Sequence, residues 1–206
     1  MTERRATPAK PPRGALRQTL IDAALACIES NGMHALTLRE VAKRAGVSHQ
    51  APYRHFVDRS ELLAAAAERG FARLLMALQK SVQTAPVDGR LEALLRAYIR
   101  FAVQEPTLFR VMFSPEVADK APYPALQALA DESLALVWRV VEEEQSERRV
   151  RAGNTLDYVA TAWALAHGLA GFFLDGLLRR RGYSPRTADA IAVRAVAILR
   201  AGMSDG

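Results

Sequence analysis

The stretch LTLREVAKRAGVSHQAPYRHFVDRSELL, residues 36–63, determines how this chain begins to fold. It contains two capping boxes, residues 37–40 (TLRE) and residues 58–61 (DRSE). In such a box, the first and fourth side chains satisfy each other's free backbone N–H groups at the start of a helix. The apolar pairs placed to act as hydrophobic staples beside these two boxes are Leu36 with Val41, and Val57 with Leu62.

A further helix start lies between the two boxes. The helix that opens at Thr37 is expected to run to about Ala45, where Gly46 permits a tight turn. Ser48 is a favoured cap for another short helix, expected to end near Phe56. Two short helices separated by a glycine turn of three or four residues predict a helix-turn-helix.

The remainder of the chain has the apolar period of helices, and it predicts an all-α fold of about nine helices. Residues 1–12, with three prolines, predict a flexible basic arm; residues 13–60 predict the helix-turn-helix domain, and residues 61–206 a larger helical domain. The helices expected around the central motif cover about 14–30, 59–82, 90–104, a short segment from 106, a segment ending near 148, 155–180 and a segment ending near 201.

Charge is unevenly distributed along the 206 residues. Residues 1–60 hold 10 Lys and Arg against 5 Asp and Glu, a net charge of +5, whereas residues 61–206 hold 18 against 17, a net charge of +1. This asymmetry favours a polyanionic partner for the N-terminal domain. Arg outnumbers Lys 24 to 4, which is also compatible with a compositional bias of the genome.

Several classes of protein are disfavoured by composition. No run reaches the roughly 18 apolar residues of a membrane helix, and no apolar stretch follows the basic N-terminus as in a signal peptide, so we expect a cytoplasmic protein. The single cysteine, Cys27, lies on the apolar face of the first predicted helix and is expected to be a core residue, with a redox sensor as the alternative.

Residues suited to reading DNA cluster at the predicted second helix of the motif, since that helix enters the major groove. Gln50 is suited to a bidentate pair with adenine, His49 to a base edge, and Ala51 to the methyl group of thymine. A helix-turn-helix used only for packing or protein contact would leave the polar tip and the charge asymmetry unexplained. The candidate DNA contacts are Thr37, Arg39, Ser48, His49, Gln50, Ala51, Tyr53, Arg54, His55 and Arg59.

Residues 16–63 resemble the DNA-binding domain of the TetR family of transcriptional regulators. The residues that carry this resemblance are 36–42 (LTLREVA), 45–48 (AGVS) and 53–56 (YRHF), the last just before a D-x-x-E cap. The resemblance implies a homodimer on a palindromic operator, released as a repressor by a small-molecule inducer bound in a helical C-terminal domain. The DNA-contacting positions it implies are Thr37, Arg39, His49, Gln50, Tyr53, His55 and Arg59.

Pro52 departs from the family pattern, which often has Leu or another small apolar residue there. Proline removes a backbone hydrogen bond, so the reading helix is expected to start late or to tilt. Residues 163–168 (WALAHG) resemble a C-terminal subfamily with a Trp…His-Gly signature.

Two stripes of small residues near the C-terminus are expected to form the dimer interface that the family resemblance implies, as half of a four-helix bundle. Small residues at helical spacing let another helix approach closely, and tight packing within one subunit is the alternative. The interface candidates are Ala160, Ala164, Gly168, Gly171, Phe172, Ala188, Ala192 and Ala195.

Aromatic residues and methionine concentrate in the second domain, which suggests a pocket for a small apolar or aromatic ligand. The same residues at helical spacing are also typical of an ordinary core, and His167 is either a polar anchor for the ligand or a satisfied interface histidine. The pocket candidates are Phe101, Phe109, Met112, Phe113, Trp138, Trp163 and His167.

Two other functions are alternatives to an inducible regulator. An all-α enzyme is disfavoured because the sequence has no glycine-rich phosphate loop, no nucleophile motif and no metal-ligand spacing among its four histidines, and no cofactor or metal is predicted. A DNA-binding dimer without a ligand, constitutive or architectural, stays open; a filled C-terminal core would favour it.

Overall fold

The computed structural model describes residues 13–183 and 188–203, and these residues form helices without any strand. The all-α prediction is therefore confirmed, while the predicted arm, residues 1–12, lies outside the described residues. Backbone contacts divide the chain into two compact units, one up to Ala66 and one from Ala67 onward. The helices are α1 (Arg13–Asn31), α2 (Leu38–Arg44), α3 (Arg59–Thr84), α4 (Arg90–Gln104), α5 (Pro106–Met112), α6 (Pro124–Ser146), α7 (Thr155–Leu174), α8 (Leu177–Arg180) and α9 (Ala188–Met203).

The first unit is built on the apolar stripe of α1. Leu20, Ala24 and Cys27 are buried along this stripe, and α1 packs against α2. Gly32 ends the helix with a φ of 81°, a left-handed conformation that favours glycine. Burial raises the pKa of the Cys27 thiol, which keeps it protonated and fits a core residue rather than a redox sensor.

The caps of α2 and α3 form where the sequence predicts them. Thr37 Oγ1 accepts a hydrogen bond from the backbone N–H of Glu40 at 3.1 Å, and Asp58 Oδ1 accepts one from that of Glu61 at 2.8 Å. The carboxylate of Glu61 also accepts from the backbone N–H of Val57 at 2.5 Å. The staple predicted at Val57 is wrong, however, because this side chain is 83% exposed.

The predicted second helix of the motif is not an α-helix. Residues 49–51 form a turn, and Pro52–Arg54 form a single 3₁₀ turn that begins after Ala51 rather than at Ser48. The reason is chemical: Pro52 has no N–H to donate to the carbonyl of Ser48, so an α-helical ladder cannot start there. The N–H groups of His55 and Phe56 both donate to the carbonyl of Pro52, each at 2.9 Å, and these two hydrogen bonds end the 3₁₀ turn.

The second unit packs around α4. Its buried stripe follows the spacing of one helix face, and α4 contacts α5, α6, α7 and α9. Gly70 of α3 lies against α5, since a Cβ there would fall 2.5 Å from the sulfur of Met112. The stripe of α4 consists of Leu91, Leu94, Leu95, Tyr98, Ile99 and Ala102.

The predicted helix over 155–180 is interrupted. Helix α7 ends at Leu174, and Gly176 has a φ of 69°, which places a left-handed residue between α7 and α8. The N–H groups of Asp175 and Gly176 donate to carbonyls of the last turn of α7. Residues 177–180 return to helical conformation as α8, so the predicted end near residue 180 holds while the predicted continuity does not.

A buried carboxylate ties the end of α6 to α9. Glu144 is only 1% exposed, and its oxygens lie 3.2 Å from Arg149 Nε and 3.4 Å from Arg200 NH2. Arg200 also donates to the carbonyl of Asp88 in the 3₁₀ turn before α4. A charge this deeply buried is tolerated only when it is paired, so the cluster holds three segments in one arrangement.

Replacing Glu144 with Ala is expected to lower the free energy of unfolding by about 3 kcal/mol, because a cavity and two positive charges remain where the carboxylate stood. Glu143→Ala is the matched control: its carboxylate pairs with Arg90 at 2.9 Å on the surface, and its loss should cost less than about 1 kcal/mol. Urea denaturation followed by circular dichroism measures both. Equal effects of the two substitutions would contradict a structural role for the buried cluster.

Candidate DNA-reading surface and ligand cavity

Most of the predicted DNA-contacting residues of the helix-turn-helix are exposed, and we call this set the reading surface. Two apolar residues beside them are buried, Pro52 and Phe56, and they anchor the 3₁₀ turn to the core of the first unit. The guanidinium of Arg17 stacks on the Phe56 ring at 5.5 Å from its centroid. The exposed members are Thr37, Arg39, Ser48, His49, Gln50, Tyr53 and Arg54, with Ala51 and His55 half-buried.

The exposed side chains of the reading surface lie beside buried residues. Tyr53 is 56% exposed although its neighbour Pro52 is buried, so the turn alternates between the core and solvent. Arg39 is exposed beside the buried Leu38 at the start of α2. This arrangement exposes the polar side chains to solvent beside neighbours that are buried.

Arg59, the tenth candidate, has a structural role that the sequence did not predict. Its Nε donates to the carbonyl of Leu36 at 3.1 Å, and its NH2 donates to the carbonyl of Met33 at 2.8 Å. These bonds join the start of α3 to the segment between α1 and α2. The side chain is half-buried and holds the helix-turn-helix together from within.

The second unit contains a cavity of about 340 Å³, which we call the ligand cavity. Side chains of α3, α4, α6 and α7 form its walls, together with the connection between α5 and α6. Two of the predicted pocket residues line it, Phe113 and Trp163. The other lining residues are Phe71, Leu74, Leu78, Leu94, Leu95, Tyr98, Ala118, Lys120, Gln127, Ala130, Asp131, Ser133, Leu134, Val137 and Ala166.

The remaining predicted pocket residues lie elsewhere. Phe109 and Met112 are buried in the core beside the cavity, and Phe101 lines a surface groove between α3 and α4. The indole N–H of Trp138 donates to Glu142 at 2.8 Å, one turn along α6. Helical period predicts which side chains face inward, but a cavity is the space that several elements leave between them, and these residues do not line this one.

His167 is paired rather than directed at the cavity. Its Nδ1 lies 2.8 Å from the hydroxyl of Tyr98, and its ring meets that of Phe113 edge-on at a centroid distance of 4.7 Å. Burial lowers the pKa of His167 and raises that of Tyr98, so both are neutral at pH 7. The bond satisfies the one polar atom that Tyr98 brings into an otherwise apolar end of the cavity.

The face of α7 that points away from the core is apolar and open. Ala160, Ala164, Gly168 and Phe172 are exposed on it, and Gly171 is half-buried. A Cβ added at either glycine would meet no atom within 4 Å. This face has the small side chains that close approach of another helix requires.

The stripe of small residues predicted on α9 faces α4 rather than solvent. Ala192 is 1% exposed, because this side of α9 packs on α4, and Ala195 is half-buried. The side chain of Ala188 lies outside the described residues. The exposed side of α9 carries instead Ala190, Arg194, Ala197, Ile198 and Ala201, of which Ile198 is 75% exposed. Both sides of α9 are rich in alanine, so the sequence did not distinguish them.

Two family models match the chain. Residues 20–66 match the bacterial regulatory proteins of the tetR family, and residues 91–199 match the tetracyclin repressor-like C-terminal domain. The chain belongs to the TetR family. The N-terminal match contains all ten predicted DNA contacts. The C-terminal match includes residues 163–168, which carry the Trp…His-Gly pattern. Membership of the subfamily with that signature stays a prediction.

Individual relatives agree with this membership. A protein of unknown function from Rhodococcus sp. RHA1 is 31% identical, with a TM-score of 0.79 over 97% of this chain and 100% of its own. The transcriptional activator FasR of Mycolicibacterium smegmatis is 28% identical over 59% of this chain and 56% of its own length. The nucleoid occlusion factor SlmA of Aliivibrio fischeri is 35% identical over 52% and 54%. The matches to these two curated relatives span only about half of their length.

Within the described part of this TetR-family chain, no group of three His, Cys, Asp or Glu residues is arranged to hold a metal ion. No described helix has both the length and the apolar character to cross a membrane. The sequence signal that would have revealed the missed cavity wall is the apolar stripe of α3. Phe71, Leu74 and Leu78 recur at intervals of three and four, in a segment that neither family model covers.

Arg59→Ala is expected to lower the stability of the first unit by about 1–2 kcal/mol, since two backbone carbonyls lose a charged donor. Arg39→Ala is the matched control, because it removes the same side chain from an exposed position and should change stability by less than about 0.5 kcal/mol. Hydrogen exchange of the amides of α1 and α2, measured by mass spectrometry, reports the effect. Equal protection in both variants would show that the Arg59 bonds do not stabilise the motif.

Proposed function

We propose that this protein is a sequence-specific DNA-binding regulator of transcription that acts as a homodimer and is released from a palindromic operator by a small apolar or aromatic ligand. The observation that carries the proposal is the reading surface, an exposed polar tip on a buried base within a TetR-family helix-turn-helix unit. We assign it no catalytic activity and place it in the cytoplasm with the DNA.

The proposed contacts divide into base reading and backbone binding. Because the 3₁₀ turn is short, only the turn that precedes Pro52 is available to the base edges. There Gln50 is suited to adenine and His49 to a neighbouring base edge. Arg39, Tyr53 and Arg54 flank this tip and are suited to phosphate oxygens. Arg59 contributes indirectly, because it donates to backbone carbonyls in the segment between α1 and α2.

Dimerisation is proposed to use the outward faces of α7 and α9. Apart from Arg194 on α9, the residues named on these faces are apolar, and the small residues of α7 allow a second helix to pack closely. In a two-fold dimer the same patch meets itself, so the exposed Ile198 would be covered by the partner. Two reading surfaces would then meet half-sites about one helical turn, or a multiple of it, apart.

A ligand is favoured over a constitutive regulator because the core of the second unit is not filled. A cavity of about 340 Å³ lies within the range of small-molecule sites. Helix α3 supplies part of its wall and also carries, at its first turn, the cap that follows the reading surface. Ligand and operator are then coupled through this helix, and each lowers the affinity for the other by the same factor.

The direct test is binding of the purified protein to genomic fragments selected by affinity, compared with random DNA across a salt series. We expect operator affinity at least about 10³ above that for random DNA, with a steep decrease as salt rises. A promoter fusion to the selected site then shows whether the bound protein represses or activates. Weak binding without preference for any fragment would exclude a sequence-specific regulator.

Gln50→Ala is expected to cost about 1–3 kcal/mol of binding free energy at one base pair of each half-site, with little effect on random DNA. Arg39→Ala should instead weaken binding to all sequences and lower the salt slope by about 1. Gln83→Ala, on the exposed surface of α3, is the matched control and should change neither. Fluorescence anisotropy with operator variants distinguishes these outcomes, and equal losses on operator and random DNA for Gln50→Ala would refute base reading.

Ala164→Arg is expected to convert the dimer to monomer, because it places a charge and a long side chain on the open face of α7. Ala128→Arg makes the same change on the exposed surface of α6 and should leave the dimer intact. Sedimentation velocity measures the assembly state of each variant. A dimeric Ala164→Arg protein with wild-type stability would show that dimerisation uses another surface.

A further inference from the structure

The ligand cavity separates apolar from ionisable groups. Most of its lining consists of aliphatic and aromatic side chains, and two polar groups of the lining are paired within the protein: Tyr98 pairs with His167, and the hydroxyl of Ser133 donates to the carbonyl of Leu129 at 2.8 Å. The two charged residues in its wall are Lys120 and Asp131. A ligand must therefore place any charge beside these two residues and its apolar body against the rest of the lining.

Lys120 is the cation available to such a charge. In the described part of the chain, its ammonium group lies 3.4 Å from the carbonyl of Ala118 and 5.8 Å from the centroid of the Phe71 ring, and it contacts no carboxylate. The segment that carries it is ordered by a turn, since Asp119 Oδ1 accepts from the backbone N–H of Ala121 at 3.0 Å. The buried Val117 anchors the same segment.

Asp131 limits how much negative charge a ligand can place beside Lys120. Its carboxylate already accepts a hydrogen bond from the Gln127 amide at 2.7 Å, one turn earlier on α6. This bond compensates it only in part, because the donor is neutral. A second negative charge on the ligand would face Asp131 with no further cation in the wall, which disfavours multiply charged head groups.

We propose that the ligand of this cavity is an amphipathic monocarboxylate, with its carboxylate paired to Lys120 and its apolar body against the aliphatic and aromatic walls. The inference rests on the proposed function, of which it specifies the ligand. The cavity volume, at about 30 Å³ for a water molecule, equals on the order of eleven waters. The ligand is therefore small, with on the order of ten to fifteen non-hydrogen atoms.

The test uses the full-length protein and probes that differ only in the head group. The chain has two tryptophans, so Trp138→Phe leaves Trp163, which lines the cavity, as the sole indole reporter. Decanoate, decanol, decylamine and decyl phosphate are titrated below their micelle concentrations while the Trp163 fluorescence is followed. We expect decanoate to bind about tenfold more tightly than decanol, and decylamine and decyl phosphate to bind more weakly than decanoate.

Substitutions at Lys120 and Asp131 test whether these two residues cause the preference for a carboxylate head group. Lys120→Met keeps the length of the side chain and is expected to reduce decanoate affinity about tenfold with little effect on decanol. Lys80→Met, at an exposed lysine of α3 outside the cavity, is the matched control and should leave both unchanged. Asp131→Asn should raise the affinity for decyl phosphate, because the opposing charge is removed.

Each outcome has one meaning. Absence of binding, equal affinity for decanoate and decanol, tighter binding of decylamine, or an unchanged preference in Lys120→Met would overturn the proposed ligand class. Operator release is measured separately by fluorescence anisotropy. If decanoate binds through Lys120 but does not release the selected operator, the ligand class stands and ligand-controlled DNA binding fails. If decanol releases the operator as well as decanoate does, ligand-controlled DNA binding stands and the ligand class fails.

Discussion

The burial of α3 is the constraint on which the rest of the structure depends. From Leu62 to Ala67, six consecutive residues of α3 are buried, which is more than one full turn of the helix. Four of these six residues are alanines. The helix starts where Asp58 accepts the free N–H of Glu61, and the Glu61 carboxylate accepts the N–H of Val57 just before the helix. That cap follows the last residues of the reading surface in the sequence. It also begins the helix whose later turns line the ligand cavity.

Local chemistry predicted what depends on neighbours in the sequence. Caps and glycine stops need only a few adjacent residues, so Thr37, Asp58 and Gly32 were placed correctly. Properties that depend on packing between elements were not predicted. Ala192 and Ile198 lie on opposite sides of one alanine-rich helix, and only contact with α4 decides which side is inward. Val57 fails for the same reason, since an apolar residue beside a cap is buried only if something covers it.

Arginine illustrates why charge counting identifies a DNA-binding unit better than it identifies the contacts. The excess of basic residues in the first 60 positions favoured a polyanionic partner, and Arg59 was counted with the others. Its guanidinium instead bonds the carbonyl of Leu36 and that of Met33, which also accepts the 3₁₀ hydrogen bond from the N–H of Leu36. A planar group with five donors suits scattered backbone acceptors as well as it suits phosphates. The same sequence feature therefore contributes to stability at Arg59, while Arg39 stays exposed at the surface.

The free energies needed for control by a ligand are modest for this architecture. A ligand shifts an equilibrium only by the difference between its affinities for the two states. A hundredfold change in operator affinity corresponds to about 2.7 kcal/mol, close to the contribution of one fully buried leucine or phenylalanine side chain. Phe71, Leu74 and Leu78 project from α3 into the cavity, so a ligand that alters the packing of one of them supplies energy of this size. Helical backbone bonds connect these residues to the first turn of α3, so under the proposed function such a change would be transmitted along the helix to the cap at Asp58.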